Sequence, residues 1–381
     1  MGVGVLCLRV AVLHPSLDRV GGAERVVCGE VLGLLKLGWG VRVFCAGRFD
    51  PRLFPELRGV VECRWVPELY GHYRGGDIWR ALRFALWDFD ADVVLANGFP
   101  SYFAGFRWPV VWYCHGVEPL LAGGWEVFGR LGVFGRANFA GFRLLFKLGD
   151  WAAVRECRAV LANSRFTGRR LWEVYGVRGL VLYPGVRALG LRGRFERVVL
   201  MGCRLYPEKR VHLLVEAARL LPRGVEVHIC GVGGDEGYVG LLRRLVERCG
   251  GGRVFLHVDP PRWFFEELLS RCCCVVALGG GEGFGLTVVE AASAGKPAVA
   301  VGEGGYVETV VDGVTGFLVS PSVRDVARCV SKLAGDLELA AEIGARAREL
   351  YLRRFTLERF ARGLDAVLRA VAEGGAFRWL L

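Results

Sequence analysis

The stretch from Gly279 to Glu290, GGGEGFGLTVVE, sets two carboxylates, Glu282 and Glu290, eight residues apart around a run of glycines. Cys274 to Leu278 before it is an apolar run of strand length, and Leu286 to Ala294 after it carries helix formers up to a stop at Gly295-Lys296-Pro297. The glycines therefore join the carboxyl end of a strand to the amino end of a helix, whose first amides are unpaired and carry partial positive charge. Parallel α/β sheets bind ligands at that edge. Gly283 and Gly285 leave the backbone bare enough for a phosphate or sugar to approach. Glu282 can accept hydrogen bonds from sugar hydroxyls, and Glu290, about one turn into the helix, can reach a ribose. The same residues also fit a blander pattern, a tight turn with Glu282 in solvent and Glu290 as a helix-surface charge.

Glu-x7-Glu around Gly-Phe-Gly resembles the signature of the retaining glycosyltransferase family 4. That resemblance implies an α/β chain of the GT-B fold, two Rossmann-like domains with parallel sheets facing a central cleft. Other segments share it. Gly202 to Lys209 resembles the family's Arg-x4-Lys pair, implying that Arg204 and Lys209 hold the donor diphosphate. His115, in Tyr113-Cys114-His115-Gly116, stands where the family has a histidine beside the donor sugar, and Gly21-Gly22 stands at the glycine turn near donor and acceptor. The catalytic set so implied is His115, Arg204, Lys209 and Glu282. Donor contacts fall to Gly21, Gly22, Val258, Gly283, Phe284, Gly285, Leu286, Thr287 and Glu290. Gly304 to Gly313 and Thr315 to Leu318 match segments that are chiefly architectural in the family. His14-Pro15, Tyr113-Cys114-His115, Asn163 to Thr167 and Leu182 to Pro184 are similar to mannosyltransferases that extend lipid-linked oligosaccharides.

The elements that must position these residues alternate along the chain. Strand-like runs at 6–13, 41–46, 92–97, 110–114, 159–162 and 180–183 are followed by a second series at 198–202, 225–230, 254–258, 274–278, 297–301 and 316–319, with helices such as 209–221 and 237–249 between them. With 381 residues the chain exceeds one ordinary core. The expected division is an acceptor-binding domain over 1–187, a sugar-nucleotide domain over 188–355 opening on a linker from Ala188 to Phe195, and a helix over 356–381 that, by the resemblance, crosses back to the first domain.

Composition narrows the function classes. No apolar run reaches the roughly 18 residues of a bilayer span, and the amino terminus passes into a strand without a basic leader, so the expected location is cytoplasmic. The 13 cysteines include no Cys-x2-Cys pair and point away from zinc; Cys272-Cys273-Cys274 reads as small apolar packing. Net charge is +11, and residues 1–185 hold +7 of it. Within them Trp125 to Trp151 interleaves aromatics with Arg130, Arg136, Arg143 and Lys147, a mixture that suits an anionic membrane surface at the inner face of a membrane as well as a core helix with a basic face. No nucleic-acid partner is expected, because the basic residues are scattered without a binding module.

Asp88-Phe89-Asp90-Ala91-Asp92 contains Asp-x-Asp twice, a metal-binding pattern of the other large glycosyltransferase fold. It precedes a strand, at the wrong edge for a ligand, so neither metal nor cofactor is expected. Gly279 to Gly285 does not give G-x-G-x-x-G, and Gly295-Lys296-Pro297 lacks the hydroxyl of a P-loop. The expectation is a retaining, metal-independent hexosyltransferase using GDP-mannose, or second a UDP-hexose, with a glycan or lipid-linked acceptor. Its rivals are a sugar-nucleotide epimerase of the same architecture and a non-catalytic subunit of a membrane glycosylation complex.

Overall fold

Strands and helices alternate along the computed structural model, which describes residues 8–63, 75–117, 147–190 and 194–375. The chain separates into two units, Met1–Pro184 with Phe360–Leu381, and Gly185–Arg359. In the first, β1 (Arg9–His14), β2 (Gly40–Cys45), β3 (Val61–Cys63), β4 (Val93–Asn97), β5 (Val110–Cys114), β6 (Ala159–Ala162) and β7 (Leu180–Val181) pair in the order β3-β2-β1-β4-β5-β6-β7. In the second, β8 (Val198–Leu205), β9 (Glu226–Gly234), β10 (Val254–Val258), β11 (Cys274–Ala277), β12 (Ala298–Val301) and β13 (Gly316–Val319) pair as β10-β9-β8-β11-β12-β13. All of these pairings are parallel. Strands covered on both faces read as unbroken apolar runs, and β4, β5, β6, β11 and β12 are buried throughout.

Each order reverses once, between β1 and β4 in the first sheet and between β8 and β11 in the second. At such a switch point neighbouring connections leave toward opposite faces and open a crevice beyond the strands' carboxyl ends. His14 and Asn97 end the strands at the first switch point; at the second, Arg204 lies just before the end of β8 and the Gly279 loop follows β11.

Several elements differ from the sequence expectation. The expected helix from Lys209 is broken: Pro207–Lys209 forms a 3₁₀ turn, Arg210 takes φ 52°, and the helix proper is Val211–Ala217. Proline fixes the entry of that turn, and the left-handed residue after it redirects the chain, so Lys209 projects from a loop. The short edge strand β3 was not expected. The residues of the proposed linker that are described, 188–190 and 194–195, have no regular structure. The last helix, Leu357–Ala372, lies from Phe360 onward in the first unit. There Trp39 Nε1 donates to Asp365 Oδ1 at 2.6 Å, Phe360 meets Tyr113 edge to face, and Gly33 leaves room for Ala361, which would stand 2.5 Å from an added Cβ.

Candidate active site

In the Gly185–Arg359 unit, β8 delivers Arg204 and the turn after it Lys209, while neighbouring β11 runs into the glycine loop. Lys209 Nζ donates to Glu282 Oε2 at 2.5 Å, and these side chains are 17% and 28% exposed. The structure thus brings together two residues that lie 73 apart in sequence. Arg204 is exposed, lies 5.7 Å from the Tyr206 ring, and has no acidic partner among the described residues. Gly285 caps the helix Leu286–Ser293 at φ 90°, where a Cβ would stand 2.5 Å from the Tyr306 ring. Both the backbone angle and the packing therefore exclude a side chain. The loop is held from below: Gly305 N donates to Glu282 O at 2.8 Å, and Cβ atoms on Gly304 or Gly305 would strike the backbone of Glu282 to Phe284. In that helix Val288 N and Val289 N bond Gly285 O, which leaves the first amides, of Leu286 and Thr287, directed out of the helix end.

Glu290 sits deeper than a ribose contact suggests. Its side chain is 7% exposed and Oε1 accepts from Arg262 Nη2 at 3.1 Å. Arg262 also pairs with Glu266 at 2.8 Å. Sequence reasoning missed Arg262, whose only signal is its place just after Val258-Asp259-Pro260-Pro261, at the mouth of the same sheet. Val258 is half-exposed and closes β10, and Asp259, at φ 50°, accepts from Gly233 N at 2.7 Å. Also missed was Arg210, whose Nη1 lies 3.1 Å from both Glu303 oxygens while the guanidinium covers Gly280.

In the first unit Gly21 precedes the helix Gly22–Lys36, which opens beyond the end of β1. A Cβ on Gly21 would stand 2.4 Å from Glu24 Oε2. His115 follows β5, with Nε2 2.8 Å from Asn97 Oδ1. Asn97 Nδ2 in turn donates to Glu30 Oε2 at 2.7 Å. Burial, with neighbouring His14, pushes the His115 imidazolium down to about 3, and burial pushes the Glu30 carboxyl up to about 8 against the opposing Asn97 hydrogen bond. His14 Nδ1 is 2.6 Å from Ser16 O, and its ring too is held below the ordinary histidine range by burial.

The aspartates of the Asp-x-Asp stretch fasten the amino edge of the sheet. Asp92 accepts from Arg9 N at 2.7 Å, Asp90 pairs with Arg9, and Asp88 with Arg107. Cys272, Cys273 and Cys274 are fully buried, and the Cys272 thiol is pushed up to about 12 by burial, the opposite of a reactive thiolate. Residues 118–146, most of the aromatic and basic segment Trp125 to Trp151, lie outside the described residues.

Two parallel Rossmann-like sheets, with a lysine and carboxylate meeting at a glycine loop beneath a helix end, define a glycosyltransferase of the GT-B fold. Residues 192–350 match the family model described as glycosyl transferases group 1, and residues 20–188 that of glycosyltransferase family 4. The chain belongs to glycosyltransferase family 4. Alpha-1,3/1,6-mannosyltransferase ALG2 of Dictyostelium discoideum is 25% identical over 433 residues, covering 95% of this chain and 98% of the relative. A GDP-mannose-dependent alpha-(1-6)-phosphatidylinositol monomannoside mannosyltransferase of Mycobacterium tuberculosis is 32% identical over 199 residues, covering 49% and 51%. Among solved structures, HepE of Anabaena in complex with UDP and glucose superposes with a TM-score of 0.74 at 21% identity, covering 95% of this chain and 100% of that one.

Proposed function

We propose that this protein transfers mannose from GDP-mannose, with retention, to a glycan or lipid-linked acceptor. The observation that carries the proposal is the meeting of Lys209, Glu282 and the Leu286–Ser293 helix end at the switch point between β8 and β11, with exposed Arg204 beside it on β8. As the glycosidic bond breaks, negative charge grows on the leaving diphosphate. Two cations and the helix amides meet it, each cation contributing roughly 1.5 to 3 kcal/mol. We assign the diphosphate to Arg204 and Lys209, the sugar hydroxyls to Glu282, the ribose to Glu290 and the base to the backbone at Val258. Glu282 is assigned to the sugar hydroxyls, and no carboxylate among the described residues is assigned as a nucleophile. Attack from the face of the departing phosphate follows, with that phosphate taking the acceptor's proton. The same cations make a metal unnecessary in this reading, and turnover should survive EDTA.

The mannosyl choice is supported by the two mannosyltransferase relatives. A UDP-hexose is the second reading, favoured by the likeness to the Anabaena protein bound to UDP and glucose. No described helix is long and apolar enough to cross a membrane. We place the reaction in the cytoplasm at the inner membrane surface, with Trp125 to Trp151 as the contact.

The test is thermal unfolding with GDP-mannose, UDP-glucose, GDP and UDP, followed by transfer assays with the stabilising donor. A donor at 100 times its Kd stabilises by about 2.7 kcal/mol without any acceptor. Stabilisation by GDP-mannose above UDP-glucose supports the mannosyl reading, and the reverse order replaces it with the hexosyl one. Indifference to all four, or loss of turnover in EDTA restored by manganese, overturns the corresponding part of the mechanism.

A further inference from the structure

Glu30 is fully buried on the apolar face of the helix Gly22–Lys36, among Val26, Val27, Val31 and Leu34. An aliphatic side chain would pack there without the penalty of burying a carboxyl group. Its Oε2 accepts from Nδ2 of Asn97, itself fully buried at the end of β4, and Glu30 Oε1 has no hydrogen-bond partner among the described residues. Asn97 has two distinct ends. With Nδ2 given to Glu30, the end facing His115 Nε2 at 2.8 Å is Oδ1, which only accepts. The proton of His115 must then sit on Nε2, leaving a lone pair on Nδ1. The ring plane is set as well: Tyr113 packs edge-on at 5.1 Å and is tied by its hydroxyl to Leu182 O at 2.8 Å.

We propose that Glu30 is a positioning residue for His115, fixing through the Asn97 carboxamide which ring nitrogen carries the proton, so that Nδ1 accepts a hydrogen bond from a sugar hydroxyl. The titratable groups around this line are His14 beside His115, and Tyr113 and Cys28 beside Glu30. Burial holds His14 and His115 toward the neutral form and pushes the Tyr113 hydroxyl and the Cys28 thiol upward. The edge at β1 and β5 therefore presents uncharged acceptors, chemistry suited to hydroxyls, whereas the β8 and β11 edge carries the cations that suit phosphates. The inference rests on the glycosyl-transfer reading for its purpose, and on the hydrogen-bond directions for its content.

The experiment reads the ring nitrogens of His115 by 15N-detected NMR on the full chain at pH 7 without donor, and in parallel measures kcat and KM with GDP-mannose and UDP-glucose. Wild type should show the Nε2-protonated tautomer. Glu30→Met should mix the tautomers and lower kcat/KM about tenfold, whereas Glu30→Gln, which keeps an acceptor oxygen for Asn97, should retain the tautomer and stay within threefold. A rise confined to donor KM places the hydroxyl on the donor, and one confined to acceptor KM places it on the acceptor. Asn97→Asp tests the same link without changing the helix: a carboxylate facing Nε2 should bring His115 titration up toward neutrality and add a limb to the pH profile. An unchanged tautomer in Glu30→Met together with unshifted His115 titration in Asn97→Asp overturns the proposal. Because the nitrogen signals need no turnover, failure to transfer from either sugar nucleotide counts against the transfer reading, while the tautomer still decides the positioning role.

Discussion

Lys209→Met is the sharpest perturbation of the proposed diphosphate site. Lys209 Cδ would stand 3.2 Å from a Cβ on Gly279, so the aliphatic stem lies along the loop, and methionine keeps that stem while removing the charge. The ammonium pairs with Glu282 at 2.5 Å, with both side chains less than a third exposed. Loss of that pair leaves a carboxylate that solvent still reaches, a cost of about 1 kcal/mol, so the fold should stand. The transition state loses more. A charge-assisted bond to the departing diphosphate is worth up to about 3 kcal/mol, and at roughly 1.4 kcal/mol per decade its loss slows kcat/KM by about two orders of magnitude. The assay is kcat/KM with the donor identified by thermal shift, for Lys209→Met, Glu282→Gln and the double variant. A charge that only neutralises Glu282 becomes dispensable once Glu282 is glutamine, so the double variant should regain stability but not rate. Turnover of Lys209→Met within threefold of wild type, or recovery of rate in the double variant, would refute the reasoning.

The buried acid also leaves a signature in stability. The Glu30 carboxyl is raised from 4.5 to about 8 in the folded chain, so the folded state holds the proton more tightly; its contribution is complete below pH 4.5 and is lost as pH rises toward 8. Glu30→Gln should therefore gain Tm relative to wild type between pH 5 and pH 8, on the order of a few kcal/mol of linkage, and parallel melting curves across that range would contradict the burial argument. His115, lowered to about 3, works in the other direction, losing stability as pH falls from 6.5 toward 3. Gly285→Ala should cost at least about 2 kcal/mol, seen as a melting point roughly 5 °C or more lower, because the residue lies at φ 90° against the Tyr306 ring. Gly281→Ala, at φ 63° with nothing within 4 Å, should cost about half as much, and equal losses would remove the packing part of the explanation.

Much of the second unit was legible because its chemistry is local. Glu282, the glycines around it and the helix start occupy one contiguous stretch, and strand, loop and helix can be read from period and glycine placement alone. Arg204 and Lys209 were legible from a second stretch, but the ion pair between Lys209 and Glu282 was not, since it joins positions brought together only by the β8 and β11 pairing. The family resemblance assigns the two to different parts of the donor, Lys209 to the diphosphate and Glu282 to the sugar hydroxyls. The break at Arg210 was hidden for another reason: arginine is a good helix former, and nothing local announces φ 52°. In the first unit the informative residues are isolated. Glu30 interrupts the stripe Val26, Val27, Val31 and Leu34, and Asn97 is the one polar residue of Val93 to Asn97; each departs from the pattern of a buried face. Those departures were the available signal, and their partnership required the register of the sheet.

The contrast between Arg204 and the other charges of the second unit has a consequence for binding. Lys209, Arg210, Arg262 and Glu290 all have opposite charges within 3.1 Å, whereas Arg204 has no acidic partner among the described residues. A diphosphate that engages Lys209 competes with Glu282 for the same ammonium, and a ribose that engages Glu290 competes with Arg262. Arg204 gives up no such ion pair. Its attraction extends about a Debye length into solvent at physiological salt, while the paired charges largely cancel beyond contact distance. Loss of Arg204 should therefore fall chiefly on donor capture and its salt dependence, and loss of Lys209 on the chemical step, where Glu282 is released to the sugar as the ammonium turns to the phosphate. The two cations of one motif thus divide the work according to whether each holds an acidic partner.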